Sequence, residues 1–333
     1  MVSLNNKVIL ITGGTGSFGK AFIRYALKNY KPKKLIVFSR DELKQFEMQQ
    51  DPDFNHHCMR FFLGDIRDYD RLKRAFNNVD IIIHAAALKQ VVAAEYNPFE
   101  YIKTNVMGAE NIINAAIDCK VKKVIALSTD KAVNPVNLYG ATKLCSDKLF
   151  VSGNYLVGEN KETCFSVVRY GNVIGSRGSV IPLFNKQKQS GVLTITDPRM
   201  TRFWITLEDA VTFVDQSLQD MKGGEIFVPK LPSMNIMDLA KAIAEECEHQ
   251  IVGIRTGEKL HEVLITEDEA RTTVEEDTRY IVYAFNSDPV QFKELYQHAL
   301  VDEAFRYESS QTKQILSIDE LKQLLKVRNL FIK

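Results

Sequence analysis

Charge of one sign is the first thing missing. Lysine and arginine total 43 against 42 aspartates and glutamates, which leaves +1 at neutral pH. No field of that size holds a polyanion through counterion release, so nucleic acid is excluded as a leading partner. Long apolar runs are missing too: Ile81-Ile82-Ile83 stops at His84, well short of the about 18 to 20 residues that span a bilayer. The opening Met1-Val2-Ser3-Leu4-Asn5-Asn6 has neither a basic stretch nor an apolar one, so the expectation is a cytoplasmic chain with no membrane partner. The five cysteines (Cys58, Cys119, Cys145, Cys164, Cys247) are odd in number and scattered, without C-x-x-C spacing or a histidine cluster. That argues against a disulfide framework and against a metal site. The only tryptophan, Trp204, reads as a core anchor. No repeat, low-complexity tract or Pro/Gly/Ser-rich linker interrupts the first 230 residues.

What is present is alternation. Short β-rich runs at Lys7–Thr12, Lys34–Ser39, Met59–Leu63, Asp80–His84, Lys123–Leu127 and Phe165–Tyr170 are separated by helical periods at Phe18–Lys28, Asp68–Phe76, Asn105–Cys119 and Tyr139–Val151. Apolar strands separated by helices predict an α/β fold of Rossmann type, a doubly wound parallel sheet covered on both faces. Ligands of such sheets sit at the carboxyl ends of the strands. The length of 333 residues suits two units: residues 1–175 as the dinucleotide-binding part, and 176–333 as a smaller α/β substrate lobe interleaved with the last strands. In that lobe a helix is expected over Leu207–Met221 behind a Thr206 cap, and another over Met237–Glu248. Strands are expected at Glu225–Val228 and Ile251–Ile254. The last sixty residues are polar and weakly patterned up to Ile318–Val327.

After the first strand, Gly13-Gly14-Thr15-Gly16-Ser17-Phe18-Gly19 opens directly into a helix. Glycines there allow close approach of a pyrophosphate, and the helix start offers N–H donors to it. The strand before and the helix after make this a dinucleotide loop. The second strand ends Ser39-Arg40-Asp41, followed by Lys44. Ser39, Arg40 and Lys44 offer donors to a 2′-phosphate, which favours NADP, while Asp41 also lies within reach of the ribose. Asp65, with Ile66, follows the third strand at the adenine position, and Ala85-Ala86 after the fourth form a side-chain-poor ledge.

The fifth strand ends Thr129-Asp130-Lys131, and Tyr139 and Lys143 follow four residues apart, on one helical face. In that arrangement Lys143 would lower the Tyr139 phenol and hold the nicotinamide ribose, and the phenolate would take a proton from a carbinol. His84 and His261 read as hydrogen-bonded or packed side chains, not catalysts.

This combination resembles the extended short-chain dehydrogenase/reductases. Gly13–Lys20 (GGTGSFGK), His84–Lys89 (HAAALK), Leu127–Phe150, Arg169–Val180 (RYGNVIGSRGSV), Met200–Thr206 (MTRFWIT) and Gly253–Glu262 (GIRTGEKLHE) look like the inverting UDP-N-acetylglucosamine 4,6-dehydratases of pseudaminic acid synthesis. The resemblance implies Lys131 as C5 base, Asp130 as acid beside Thr129, and Tyr139 with Lys143 as the oxidation pair. It places Lys89, Asn172, Ser179 and Val180 along UDP-N-acetylglucosamine and Arg202, Arg255 and Glu258 at its UDP end. It also implies a homo-oligomer. A lysine acting as base must be neutral, which calls for a pKa lowered by desolvation or by a cation such as Lys89. Gln90-Val91-Val92 departs from the His-Val-Pro of many relatives, whereas Tyr139 differs from the Met common in retaining, membrane-anchored dehydratases. The competing readings are a C5-retaining dehydratase, a UDP-sugar 4-epimerase, and a nucleotide-binding scaffold without turnover.

Overall fold

The computed structural model describes residues 3–158, 162–175, 180–283 and 299–327. Strands β1 (Val8–Thr12), β2 (Lys34–Ser39), β3 (Met59–Leu63), β4 (Ile81–His84), β5 (Lys123–Thr129) and β6 (Cys164–Tyr170) form where the apolar runs predict them. Every residue of β1 and β4 is buried, as befits strands covered on both faces. After them come β7 (Asn172–Val173), β8 (Val192–Ile195), β9 (Thr201–Ile205), β10 (Glu225–Pro229), β11 (Ser233–Asn235), β12 (Glu248–Ile251), β13 (Val263–Ile265), β14 (Thr273–Glu275), β15 (Arg279–Tyr283) and β16 (Tyr307–Glu308).

Nine of these build one sheet in the order β14-β15-β10-β6-β5-β4-β1-β2-β3. It is parallel from β10 to β3 and ends in the antiparallel pair β15 and β14. The chain order reverses between β1 and β4, so the carboxyl ends of those strands diverge into a crevice. There Thr12 Oγ1 lies 2.8 Å from His84 Nδ1, and His84 packs on Phe150 at 5.3 Å between ring centres. His84 is therefore the hydrogen-bonded core histidine expected.

A second core gathers Phe184, Leu193, Ile195, Trp204, Leu239, Leu321 and Leu325. The helix Leu207–Asp220 starts at Thr206, whose side chain accepts from Asp209 N, and Trp204 is 3% exposed; both follow expectation. Two boundaries move. The helix predicted to reach Glu248 stops at Ala244, and the strand predicted at Ile251–Ile254 is Glu248–Ile251, because that stretch pairs in parallel with β8. The polar last sixty residues are not idle: β14 and β15 complete the main sheet, β16 pairs with β13, and the helix Ile318–Val327 buries Leu321 and Leu325 in the second core. Among the described residues no helix is long and apolar enough to cross a membrane.

Candidate active site

The glycine loop lies at the mouth of the crevice. Gly13 has φ +66°, a left-handed conformation, and a Cβ there would stand 2.9 Å from the Ala86 backbone, so the loop and the Ala85-Ala86 ledge touch directly. Gly13 N donates to Phe38 O and Gly16 N to Gly13 O. The helix Ser17–Asn29 then begins on Gly16 with no side-chain cap and no acidic residue in its first turn. Its first N–H groups therefore have neither a capping side chain nor an acidic residue of their own turn. Phe18 stacks on Phe22 inside the fold.

The end of β2 is more committed than its sequence suggests. Ser39 Oγ accepts from Gln45 Nε2 at 3.0 Å. Asp41 caps the helix Glu42–Gln50, accepting from Lys44 N, and Lys44 Nζ lies 2.6 Å from Asp41 Oδ2. The Lys44 hydrogen bond holds the Asp41 carboxyl below its usual range, in a half-exposed pair at the surface. Arg40 keeps a half-exposed side chain with Nη1 3.5 Å from Asp65 Oδ2. Burial would raise the Asp65 carboxyl, but Arg67, which grips it from Nε and Nη2, outweighs burial and lowers it. Ile66 is buried.

The corner after β5 is the chemical centre. Thr129 Oγ1 donates to Asp130 Oδ1 at 2.8 Å, and Lys131 Nζ donates to the same oxygen at 2.9 Å. The Asp130 side chain is fully buried and that of Lys131 is 24% exposed. Desolvation alone would lower the Lys131 ammonium, but Asp130 and then Glu262 more than reverse it and hold the group above the ordinary lysine range. The lowered lysine expected for a base is thus absent from this resting arrangement. The helix Leu138–Leu156 packs on that turn through Gly140, where a Cβ would meet Lys131 O at 2.1 Å, and Asn137 caps it by accepting from Gly140 N.

Tyr139 is buried against Tyr101 and Ala94. Its phenol is pushed up to about 12, first by burial; Lys131 and Thr129 pull the other way. Lys143 Nζ donates to Leu127 O at 2.9 Å. Burial lowers Lys143 itself, against the charge of Asp147. Asp147 in turn accepts from Ser128 Oγ at 2.7 Å and lies 3.7 Å from Arg169, a residue 1% exposed that also binds Glu269. Lys89 follows a loop pinned by Asn105, whose amide donates to Leu88 O and Thr142 Oγ1. Desolvation and then the charge of Lys131 lower the Lys89 ammonium.

From the other lobe, Arg202 donates through Nη1 and Nη2 to Thr201 O, Leu260 O and Lys259 O. It fastens the 255–262 loop and does not stand free for a diphosphate. Arg255, by contrast, is 58% exposed on its side chain, with Nη1 3.9 Å from Glu258. Asn137 Nδ2 donates to Gly257 O, which ties this loop to the cap of the Tyr139 helix. Asn172 sits on β7, and Val180 begins the helix Val180–Lys188; Ser179 lies outside the described residues. Asp130 Oδ2 and Asn172 Oδ1 are buried without a hydrogen-bond partner, acceptors suited to hydroxyl or amide donors of a ligand. Sequence reasoning passed over Glu262, Lys259, Asp147, Arg169 and Asn105, although Lys259 and Glu262 lie inside the GIRTGEKLHE stretch.

Residues 9–284 match the family described as polysaccharide biosynthesis protein. An inverting UDP-N-acetylglucosamine 4,6-dehydratase of Campylobacter jejuni subsp. jejuni serotype O:2 is 60% identical over 84% of this chain and 83% of its own length. A UDP-glucose 4-epimerase of Rickettsia felis is 46% identical over 79% of each chain. The X-ray structure of Pen from Bacillus thuringiensis superposes with a TM-score of 0.90 at 38% identity, covering 99% of this chain and 100% of that one. The chain belongs to the polysaccharide biosynthesis protein family, and with the inverting UDP-N-acetylglucosamine 4,6-dehydratases it falls among that family's lyases.

Proposed function

We propose that the protein removes water across C5 and C6 of UDP-N-acetylglucosamine with inversion at C5, using NADP, as the first step of pseudaminic acid synthesis. The observation that carries this reading is the buried Asp130–Lys131 contact of 2.9 Å beside Tyr139. In this reading residues 1–175 hold the dinucleotide and carry the catalytic residues, and 176–333 form the substrate lobe, with Asn172 and Lys89 of the first part also reaching the sugar nucleotide. The uncapped start of Ser17–Asn29 and the Gly13–Ala86 contact suit a pyrophosphate, and the half-exposed Arg40 suits a 2′-phosphate. A dinucleotide held there would supply reversible hydride transfer, from C4 and back to C6, with no net redox change.

The chain's own groups handle protons. Tyr139 takes the proton of the C4 hydroxyl; burial holds its phenol at about 12 here, and Lys131 and Thr129 act against that burial. The resulting C4 ketone acidifies the C5 hydrogen. Moving one proton along the Lys131–Asp130 contact converts an ammonium–carboxylate pair into an amine and a carboxylic acid, the two forms elimination needs. The amine removes the C5 proton, the acid protonates the departing C6 hydroxyl, and the pair returns to its resting charges; once hydride is back on C6, a solvent-exchangeable proton delivered to the opposite face of C5 completes the inverted product. Asn172, Val180, Arg255 and Glu258 would bind the sugar nucleotide, with Lys89 near the hexose.

Proton NMR of the enzyme with UDP-N-acetylglucosamine in deuterated water tests this. A C6 methyl signal, deuterium at C5 and the couplings of the inverted sugar are expected; retained couplings would transfer the enzyme to the retaining branch. The epimerase-named relative at 46% identity favours one alternative, UDP-sugar 4-epimerisation, which needs Tyr139 and Lys143 but not the Asp130–Lys131 pair. A C4 epimer without a methyl signal would establish it.

A further inference from the structure

The reaction as described leaves Glu262 without a role, yet its carboxylate is 3% exposed at residue level and faces three cations. Oε1 lies 3.6 Å from Lys131 Nζ and 3.8 Å from Arg202 Nε, and Oε2 lies 3.6 Å from Lys259 Nζ. The backbone on which it stands is fixed from a distance. Glu262 N donates to Ser309 Oγ at 2.9 Å, and Ser309 N donates to Glu262 O at 2.9 Å. Lys259 is anchored as well, donating to Val133 O just past the Asp130-Lys131 turn. Oε2 has no hydrogen-bond partner. A buried carboxylate held by surrounding charge and not by its own hydrogen bonds costs stability unless those charges compensate it, and here one of the compensating charges is the proposed base.

We propose that Glu262 is a positioning residue for the elimination: it holds the Lys131 amino group while Asp130 is in its acid form and balances the ammonium that forms as C5 is deprotonated. This rests on the dehydratase reading above. In the step itself the C5–H bond breaks as the Lys131 nitrogen takes the proton. The electron pair left behind forms the C5–C6 double bond, and the C6–O bond breaks with its electrons going to oxygen. That oxygen takes the Asp130 proton and leaves as water. Counted from the amine–acid form of the pair, Lys131 is neutral before the step and cationic after it, so attraction to Glu262 grows as C5 is deprotonated, while in the resting ammonium form the same attraction keeps Lys131 in place. The other groups facing Lys131 are Asp130, Tyr139 and the cations Arg202, Lys89 and Lys259. Without Glu262 the ammonium would meet three cations with Asp130 as its only counter-ion.

The test compares wild type, Glu262→Gln and Glu262→Asp by the NMR assay across pH, with thermal unfolding alongside. Glu262→Gln is expected to lower kcat about 10- to 100-fold, less than the about 10²–10⁴ carried by an acid–base group itself. KM should stay near that of wild type, and the kcat–pH profile should move to lower pH, since the Asp130–Lys131 pair loses a charge that favours its protonated forms. Glu262→Asp keeps the charge, so its profile should stay in place with a smaller fall in kcat. An unchanged kcat, a rise in KM alone, or a fall in kcat with an unmoved profile in Glu262→Gln would overturn the proposal. If Glu262→Gln fails to fold, Glu262→Asp decides: lower kcat at an unmoved profile supports the role, and wild-type kcat or a displaced profile refutes it. A wild-type enzyme that forms no C6 methyl product defeats the dehydratase reading itself, before either variant is compared.

Discussion

At Lys131 burial and charge oppose one another: desolvation disfavours the ammonium, and Asp130 with Glu262 restores it. In the proposed reaction the base would therefore not be a lysine kept neutral in advance but one half of a pair with Asp130, 2.9 Å away. Lys131→Ala should lower dehydration by about 10²–10⁴ while leaving C4 oxidation measurable as transient reduction of the bound dinucleotide. Equal loss of both activities would detach Lys131 from the elimination step. His84 sets a different pH response. Desolvation, and then the charge of Lys143, lower its imidazole to about 3, whereas an unfolded chain binds the proton near about 6.5. Between those values the unfolded form carries more protons, so this contribution to stability is complete above about 6.5 and is lost as pH falls toward about 3. Urea midpoints should drop between pH 7 and pH 5, and His84→Asn should flatten that drop; an unaltered slope would place the acid sensitivity elsewhere.

Among elements, the helix Leu138–Leu156 shows how far a sequence pattern reaches. Four-residue spacing places Tyr139 and Lys143 on one face, and both are buried. The strands that deliver Thr12, Ser39, His84 and Thr129 to one edge were legible because parallel strands covered on both sides read as unbroken apolar runs. Spacing does not reveal where a long side chain ends. Lys143 reaches the Leu127 carbonyl, and the cation that favours the Tyr139 phenolate is Lys131, from a different element. Glu262 escaped for the same reason, since its place depends on Ser309, 47 residues away. The turn Ile102–Met107 adopts π-helical geometry where an α-helix from Asn105 was expected; Asn105 there bridges Leu88 and Thr142, a tertiary demand invisible in local periodicity. Gly140 is the tightest junction between this helix and the Asp130-Lys131 turn. Gly140→Ala puts a methyl 2.1 Å from Lys131 O, so a loss of about 1–3 kcal/mol in stability is expected, with a fall in kcat from the displaced pair. Chemical denaturation and the NMR assay measure the two effects separately.

Over the whole molecule, the last described helix belongs to the second core. Leu325 is fully buried in the second core, on the helix Ile318–Val327. Leu325→Ala should cost about 2–5 kcal/mol, visible as a lower unfolding midpoint, while the main sheet keeps its strand pairing. The sheet order has a further consequence for synthesis. β6 is an interior strand whose outer neighbour, β10, begins only at Glu225, and Arg169 within β6 takes Leu264 O and Glu269 as partners. A nascent chain that has emerged only to residue 175 would present an almost wholly buried type of strand as an open edge, with an arginine still lacking the carboxylate of Glu269. Translation must therefore run about fifty residues further, through β10 at Glu225–Pro229, before that edge closes, and about ninety before Glu269 reaches the arginine; in this interval the growing chain is most exposed to chaperone capture and to edge-to-edge pairing with its neighbours on the same messenger.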